Sequence, residues 1–177
     1  TIEEKQSAIN ELDQALKSAI NHIHQSQNNE SVIAALKESI SLIDSIEIQA
    51  HKKLEAKAYI DGYSDDKIND ISSRATNEEK QIFVSKLKAL INHAHKQIDE
   101  AETFVSVDTI VRNFKVEVDK LNSIVRKKAK ALKEIELEAD HVKQMINANL
   151  SASTRVKQNA RTSVSYTHLR AHETSLH

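Results

Sequence analysis

The stretch Thr76-Asn77-Glu78-Glu79-Lys80 begins the second copy of a repeat whose first copy opens with Thr1-Ile2-Glu3-Glu4-Lys5, 75 residues earlier. The two copies align without a gap, and their apolar positions agree best: Leu12 with Leu87, Leu16 with Ile91, Ala19 with Ala94, Ile23 with Ile98, Val32 with Val107, Ile43 with Val118, Ala56 with Ala131 and Ile60 with Ile135. Polar positions vary more, which indicates a packing requirement rather than a catalytic one. A fixed period of this size predicts an array of helical units.

The composition favours helices over sheets. Hydrophobic residues make up 39% of the 177 residues and aromatic ones 3%, and the chain has one glycine and no proline. Hairpins and tight turns depend on those last two residue types, so the predicted fold class is all-α. The apolar residues are mainly Ile, Leu, Val and Ala, which suit narrow seams between helices.

Charge and cysteine content limit the possible partners. The formal net charge is −1 with both signs interleaved, whereas a nucleic-acid-binding domain usually has a basic face. No apolar run reaches the about 18 residues of a membrane span. We therefore predict neither a nucleic-acid partner nor membrane insertion, and the lack of cysteine excludes thiolate chemistry. Because the sequence starts inside a motif, we expect it to belong to a longer chain.

Capping signals locate the helix starts. Thr76 and Glu79 have the spacing of a capping box, in which the threonine hydroxyl and the glutamate carboxylate each accept from the other residue's amide. The same pair occurs one period earlier. After a polar stretch that ends this helix, Ser31 and Ser106 are predicted to cap the next one.

The apolar stripe then continues without a proline, glycine or turn sequence between the second and third helices of a repeat. We therefore predict continuous or slightly kinked helices over residues 32–72 and 107–148. The result is a spectrin-like plan: tandem antiparallel three-helix bundles joined by long continuous helices, elongated overall. The alternative is a set of separate compact bundles with a bend near residues 46–50.

This plan divides the chain into four segments. Residues 1–47 are a partial N-terminal repeat of two helices, residues 48–124 a complete three-helix bundle, and residues 125–162 a partial C-terminal repeat. Residues 163–177 are predicted to be a non-native tail, because the residues from about 164 onward resemble a translated sequencing adapter and match no repeat position.

Four features occur in a fixed order: a Thr-x-Glu-Glu-Lys start at residues 76–80, an Ala/Ile-rich helix after it, a Val-led second helix from Val107, and an Ala-Lys-x-x-Ile segment before the next Thr start, as at residues 56–60 ahead of Thr76. In this order they resemble a domain family of unknown function that repeats in Gram-positive cell-wall surface proteins, such as Ebh-like extracellular matrix-binding proteins. The resemblance implies an exported, wall-anchored and mostly structural stalk, with a role in adhesion or envelope integrity. It supplies no catalytic residues.

No catalytic, cofactor-binding or metal-binding residue is predicted, and no cofactor. His22 and His24, like His93 and His95, are two residues apart, which on a helix separates them by about 200°. We therefore interpret all four as solvated or half-buried side chains rather than metal ligands. Tyr59, Tyr63 and the three phenylalanines are interpreted as seam residues rather than as a binding patch.

The densest basic run is followed at once by an acidic one, Glu134, Glu136, Glu138 and Asp140. The basic residues are Arg126, Lys127, Lys128, Lys130 and Lys133. This order favours a solvated helix surface with i,i+4 ion pairs over a site for an anionic polymer.

The leading functional hypothesis is a set of non-enzymatic spacer or stalk repeats in a bacterial surface adhesin, located at the extracellular cell wall. Its partners are the neighbouring repeats of the same chain. The first alternative is a helical module that itself binds a host extracellular matrix protein or an immunoglobulin. A further alternative is an intracellular coiled-coil-like rod.

Overall fold

A computed structural model describes residues 1–149 and 161, and within them the chain contains helices and no strand. The helices are α1 (Ile2–Gln25), α2 (Asn29–Asp44), α3 (Lys52–Ile71), α4 (Asn77–Glu100), α5 (Phe104–Lys120), a short 3₁₀ helix (Leu121–Ile124) and α6 (Lys127–Ala148). The all-α prediction is confirmed. The proposed tail at 163–177 lies outside the described residues, as do residues 150–160 and 162 of the segment 125–162.

Both predicted capping boxes are present. The Glu79 amide donates to the Thr76 hydroxyl over 3.2 Å, and the Thr76 amide donates to the Glu79 carboxylate over 3.0 Å. Thr1 and Glu4 form the same pair of contacts. Each box satisfies amides that a helix start otherwise leaves unpaired.

The prediction that Ser31 and Ser106 cap α2 and α5 is wrong by three residues. The caps are Asn28 and Thr103, whose side chains accept from the amides of Ser31 (2.8 Å) and Ser106 (3.1 Å). Each serine hydroxyl in turn accepts from the amide of its cap residue. The two serines therefore occupy the third helical position, where serine replaces the usual glutamate of a capping box.

The long continuous helices predicted over 32–72 and 107–148 are also wrong. Residues 45–51 separate α2 from α3, and residues 121–126, which include the 3₁₀ helix, separate α5 from α6. The apolar stripe passes through both breaks because linker residues such as Ile46, Leu121 and Val125 are themselves half-buried. Periodicity alone could not distinguish such a linker from a helix.

The described chain divides into two compact units. Unit 1 comprises residues 1–61 and 91–115, and unit 2 comprises residues 62–90 and the residues from 116 onward. Helices α3, α4 and α5 each contribute residues to both units.

In unit 1, the first half of α3 packs against the second half of α4 and the first part of α5. The Lys57 ammonium forms an ion pair with Asp99 on α4, and the Lys52 ammonium lies 2.6 Å from an Asp108 carboxylate oxygen on α5. The buried apolar side chains of these segments are Ala56, Ile60, Ala94, Ile98, Ala101, Val107 and Phe114. The α1–α2 pair also belongs to unit 1, and α1 packs directly on α2.

Unit 2 has its own small core. Its buried apolar residues are Ile71, Ala75, Phe83, Leu87 and Val118. The Tyr63 hydroxyl donates to Asp119 over 3.0 Å and the Lys67 ammonium lies 3.2 Å from the same carboxylate, so α3 is also held to α5 in this unit.

The stripe predicted on the first helix of each repeat has different fates in the two copies. In α4, Leu87, Ala94 and Ile98 are buried, as expected. Of the equivalent stripe in α1, Ala19 is buried, whereas Leu12 and Leu16 are exposed. The α1–α2 pair lacks a third helix over this stripe within the part of the chain that the structure describes.

Candidate functional site

Among the described residues, each copy of the repeat has one buried charged position, the second glutamate of the Thr-x-Glu-Glu start. Glu4 and Glu79 are both buried, although glutamate is rarely buried unless its carboxylate is paired. Their hydrogen bonds show what each carboxylate does beyond its own capping box.

The Glu79 carboxylate caps two helices at once. One oxygen accepts from the Thr76 amide at the start of α4. The other accepts from the amides of Arg126 (3.1 Å) and Lys127 (2.9 Å) at the start of α6. These contacts all lie within unit 2.

Glu4 makes the equivalent contacts in unit 1. One of its oxygens accepts from the Thr1 nitrogen (2.9 Å) and the Thr1 hydroxyl (2.7 Å). The other accepts from the amides of His51 (2.9 Å) and Lys52 (2.8 Å) at the start of α3. Each partner is 75 residues before its counterpart in unit 2, so the geometry repeats with the sequence. We call this arrangement the glutamate clasp.

The clasp replaces a local cap. The residue before α6 is Arg126, and its side chain makes no capping hydrogen bond. The residue before α3 is His51. Neither type is a favoured N-cap, so the first amides of these helices depend on a carboxylate that lies 47 or 48 positions earlier.

Electrostatics keeps both carboxylates ionised. The pKa of Glu4 is lowered from 4.5 to about 2. The largest cause is the hydrogen bond from the Lys52 amide, followed by those from the N-terminal ammonium and the Thr1 hydroxyl. The Thr76 amide is likewise the main cause of a lowered Glu79 pKa, with the Arg126 and Lys127 amides adding to it. An ionised carboxylate at two helix starts also complements both helix dipoles.

Such a group suits a structural role. A general acid or base works best with a pKa near the working pH, and these carboxylates are shifted away from neutrality instead. Both oxygens of each carboxylate already accept hydrogen bonds. The arrangement can fix the start of one helix relative to the start of another, and it can lose that hold when the carboxylate is protonated.

In unit 1 the neighbouring glutamate adds a third helix start. The Glu3 carboxylate accepts from the amide of Phe104, the first residue of α5, over 2.8 Å. The Ile2 amide donates to the Glu102 carbonyl over 2.8 Å. The starts of α1, α3 and α5 therefore meet around two adjacent glutamates.

The predictions from the sequence included the capping box but missed the clasp. The available signal was the recurrence of Glu4 as Glu79 together with that of Lys52 as Lys127. Nothing in the local sequence at 45–51 or 121–126 indicates that a helix starts there. The carboxylate that caps each of these helices is 47 or 48 positions away in the sequence, although it accepts hydrogen bonds from the helix's first amides.

The histidines do not come together as a site. His22, His24 and His93 are exposed, and half-buried His95 places its Nε2 3.0 Å from an Asp61 oxygen, an ion pair when the ring is protonated. Within residues 1–149 and 161, no group of three or more His, Asp or Glu side chains could hold a metal ion.

The aromatic residues are divided between core and surface. Phe83 and Phe114 are buried, as a seam requires. Phe104 and Tyr59 remain largely exposed, with the Lys52 and Lys115 ammonium groups 5.1 Å and 5.7 Å from the respective ring centres. Only part of the seam interpretation therefore holds.

The basic run at the start of α6 makes several contacts within unit 2. Two of its amides serve the clasp, and the Lys128 ammonium donates to the Ser73 carbonyl over 3.0 Å. Lys130 and Glu134 form the expected i,i+4 pair at 4.0 Å.

Comparison with protein families places this repeat in a known class. A family model described as Domain of Unknown Function (DUF1542) matches residues 1–51 and 52–125. The chain belongs to this family, a repeat domain of Gram-positive surface proteins such as Ebh-like proteins. The family indicates no catalytic activity.

The second match begins at Lys52, the first residue of α3, and ends two residues before α6. No curated protein and no solved structure matches the chain. Among the described helices, none is long and apolar enough to cross a membrane.

Proposed function

We propose that this chain is a segment of non-enzymatic spacer repeats in a bacterial surface adhesin. The repeats hold a terminal adhesive region away from the cell wall, and the main partner of each repeat is the next repeat of the same chain. The membership of a family found in surface proteins supports the extracellular location.

The glutamate clasp is the observation that carries the proposal. Glu4 lies in the first family match and caps a helix that begins with Lys52, the first residue of the second match. Glu79 lies in the second match and caps a helix that begins after that match ends. Each clasp therefore crosses a repeat boundary.

A contact of this kind suits an array of repeats that must resist unfolding. In repeat proteins, stability is approximately the sum of the stabilities of single repeats and of the contacts between nearest neighbours. A buried carboxylate that satisfies amides on both sides of a boundary is such a nearest-neighbour contact. It makes the start of the following repeat dependent on the folding of the one before it.

The proposal includes the elongated arrangement of repeats, which small-angle X-ray scattering tests. A compact chain of this length has a radius of gyration of about 16 Å, and we expect a clearly larger value after extrapolation to zero concentration. A value near the compact one contradicts the spacer proposal.

Two further measurements separate the spacer from its alternatives. Sub-micromolar binding of the chain to fibronectin or immunoglobulin in surface plasmon resonance would favour a binding module. The full gene tests the location: a signal peptide and a wall-sorting motif are expected, and a gene without either would favour an intracellular rod.

A further inference from the structure

Helix α6 carries an apolar stripe that its equivalent in the previous copy keeps buried. Ala131 and Ile135 correspond to Ala56 and Ile60 of α3, one period earlier. Ile60 is fully buried, whereas Ile135 is 60% exposed. Beside Ile135 lies an open apolar groove of about 450 Å³, formed with Val125, Ala129 and Leu132.

The α1–α2 pair also leaves apolar side chains exposed that their equivalents in the second copy bury. Val32 corresponds to Val107, and Leu12 to Leu87. Both residues of the second copy are fully buried, while Leu12 and Val32 are exposed. Ala19 and Ala35 are buried, so the two helices pack on each other and leave a stripe uncovered.

In the second copy of the repeat, helix α3 packs on the pair α4–α5, which is equivalent to α1–α2. In unit 1, α3 contacts α4 through Lys57 and Asp99 and contacts α5 through Lys52 and Asp108. Helices α4 and α5 are the equivalents of α1 and α2, and α6 is the equivalent of α3. The lengths also agree, since α6 has 22 residues and α1 has 24.

We propose that copies of this chain associate head to tail, with α6 of one copy lying in the α1–α2 groove of another. The intermolecular contact reproduces the packing that α3 makes on α4 and α5 within one chain. This inference does not depend on the location or the spacer role proposed above.

The residue types at this interface favour apolar association. The Lys57–Asp99 ion pair of the second copy is replaced by Leu132 on α6 and His24 on α1, and Lys67 is replaced by Val142. With fewer ion pairs to screen, added salt is expected to leave the association intact, because apolar contacts do not weaken with ionic strength as exposed charge pairs do.

The contact is heterologous, because it joins two different surfaces. Each molecule has one α6 and one α1–α2 groove, so it can bind one neighbouring molecule through each of these two surfaces. The average mass is therefore expected to rise with concentration beyond that of a dimer.

Sedimentation equilibrium of the full chain over a wide concentration range tests this. We expect Ile135→Asp to raise the concentration of half-association at least about tenfold, since a charge replaces a buried aliphatic contact. The matched control is Leu137→Asp. Leu137 is also 60% exposed, but it corresponds to Gly62, which is exposed in α3.

Mixing two variants gives the decisive experiment. Leu12→Asp blocks the groove and keeps α6, and Ile135→Asp blocks α6 and keeps the groove. Each alone is expected to remain monomeric, while an equimolar mixture forms a one-to-one dimer. Leu42→Asp serves as the groove control, because the second copy has exposed Glu117 at that position.

The result that overturns the proposal is equally specific. A wild-type chain that stays monomeric at about millimolar concentration excludes the contact, as does a variant mixture that stays monomeric. Equal loss of association in Leu137→Asp and Ile135→Asp would indicate general adhesion of exposed apolar residues instead. Dissociation by moderate salt would indicate charge pairing.

Discussion

The α1–α2 pair and the α4–α5 pair have nearly the same apolar pattern and different burial. Leu87 is fully buried in α4, while Leu12, its equivalent in α1, is 38% exposed. The capping residues are equivalent in both pairs, so local helix signals do not explain the difference. The helix α3 explains it, since it contacts α4 and α5. Burial in this repeat is therefore a property of three helices rather than of two.

The largest expected effect comes from truncating the same side chain in both pairs. Leu87→Ala is expected to cost about 2–5 kcal/mol, as for other fully buried leucines, and Leu12→Ala about 1 kcal/mol or less. Urea unfolding followed by circular dichroism at micromolar concentration measures both. Equal losses would mean that α1 and α2 bury the stripe by themselves.

The next effect concerns the clasp. Thr76→Ala removes one side of a capping box and is expected to cost about 1 kcal/mol. Glu79→Ala is expected to cost more, because it leaves amides unpaired at the starts of both α4 and α6. Hydrogen exchange should show lost protection at the Lys127 amide. The exposed neighbour Glu78→Ala is the control, and protection at Lys127 that persists without Glu79 would contradict the clasp.

The clasp also predicts a pH dependence. A carboxyl group with a lowered pKa in the folded state stabilises that state fully above its unfolded pKa, and loses this contribution as the pH falls. For Glu4 the loss is expected between about pH 4.5 and about pH 2. Unfolding midpoints measured across this range should fall less steeply in Glu4→Gln, and an unchanged slope in that variant would contradict the assignment.

The smallest effect compares α3 with α6. Gly62 lies inside α3 with open space around its Cα, and its equivalent in α6 is Leu137. Gly62→Ala is expected to stabilise the chain by about 0.5–1 kcal/mol, because alanine favours the helical backbone. Thermal unfolding measures this gain in stability. A loss of stability would contradict the open space around Gly62.

The sequence was sufficient for the parts of the fold that depend on local chemistry. The capping boxes at Thr1 and Thr76 and the helical class follow from neighbours within a turn or two. The break before α3 does not, because its capping carboxylate is 48 positions away. Likewise, no local feature distinguishes Leu12 from Leu87, and their burial differs only through a third helix.

The fixed span of the glutamate clasp has a consequence for how such a gene can change length. The carboxylate and the helix start that it caps lie 48 positions apart in both copies. Recombination between equivalent codons of two copies therefore rejoins every carboxylate with a helix start at the same distance. Whole copies can be gained or lost in this way, whereas a single-residue insertion between Glu79 and Lys127 alters that span and must be absorbed in a linker.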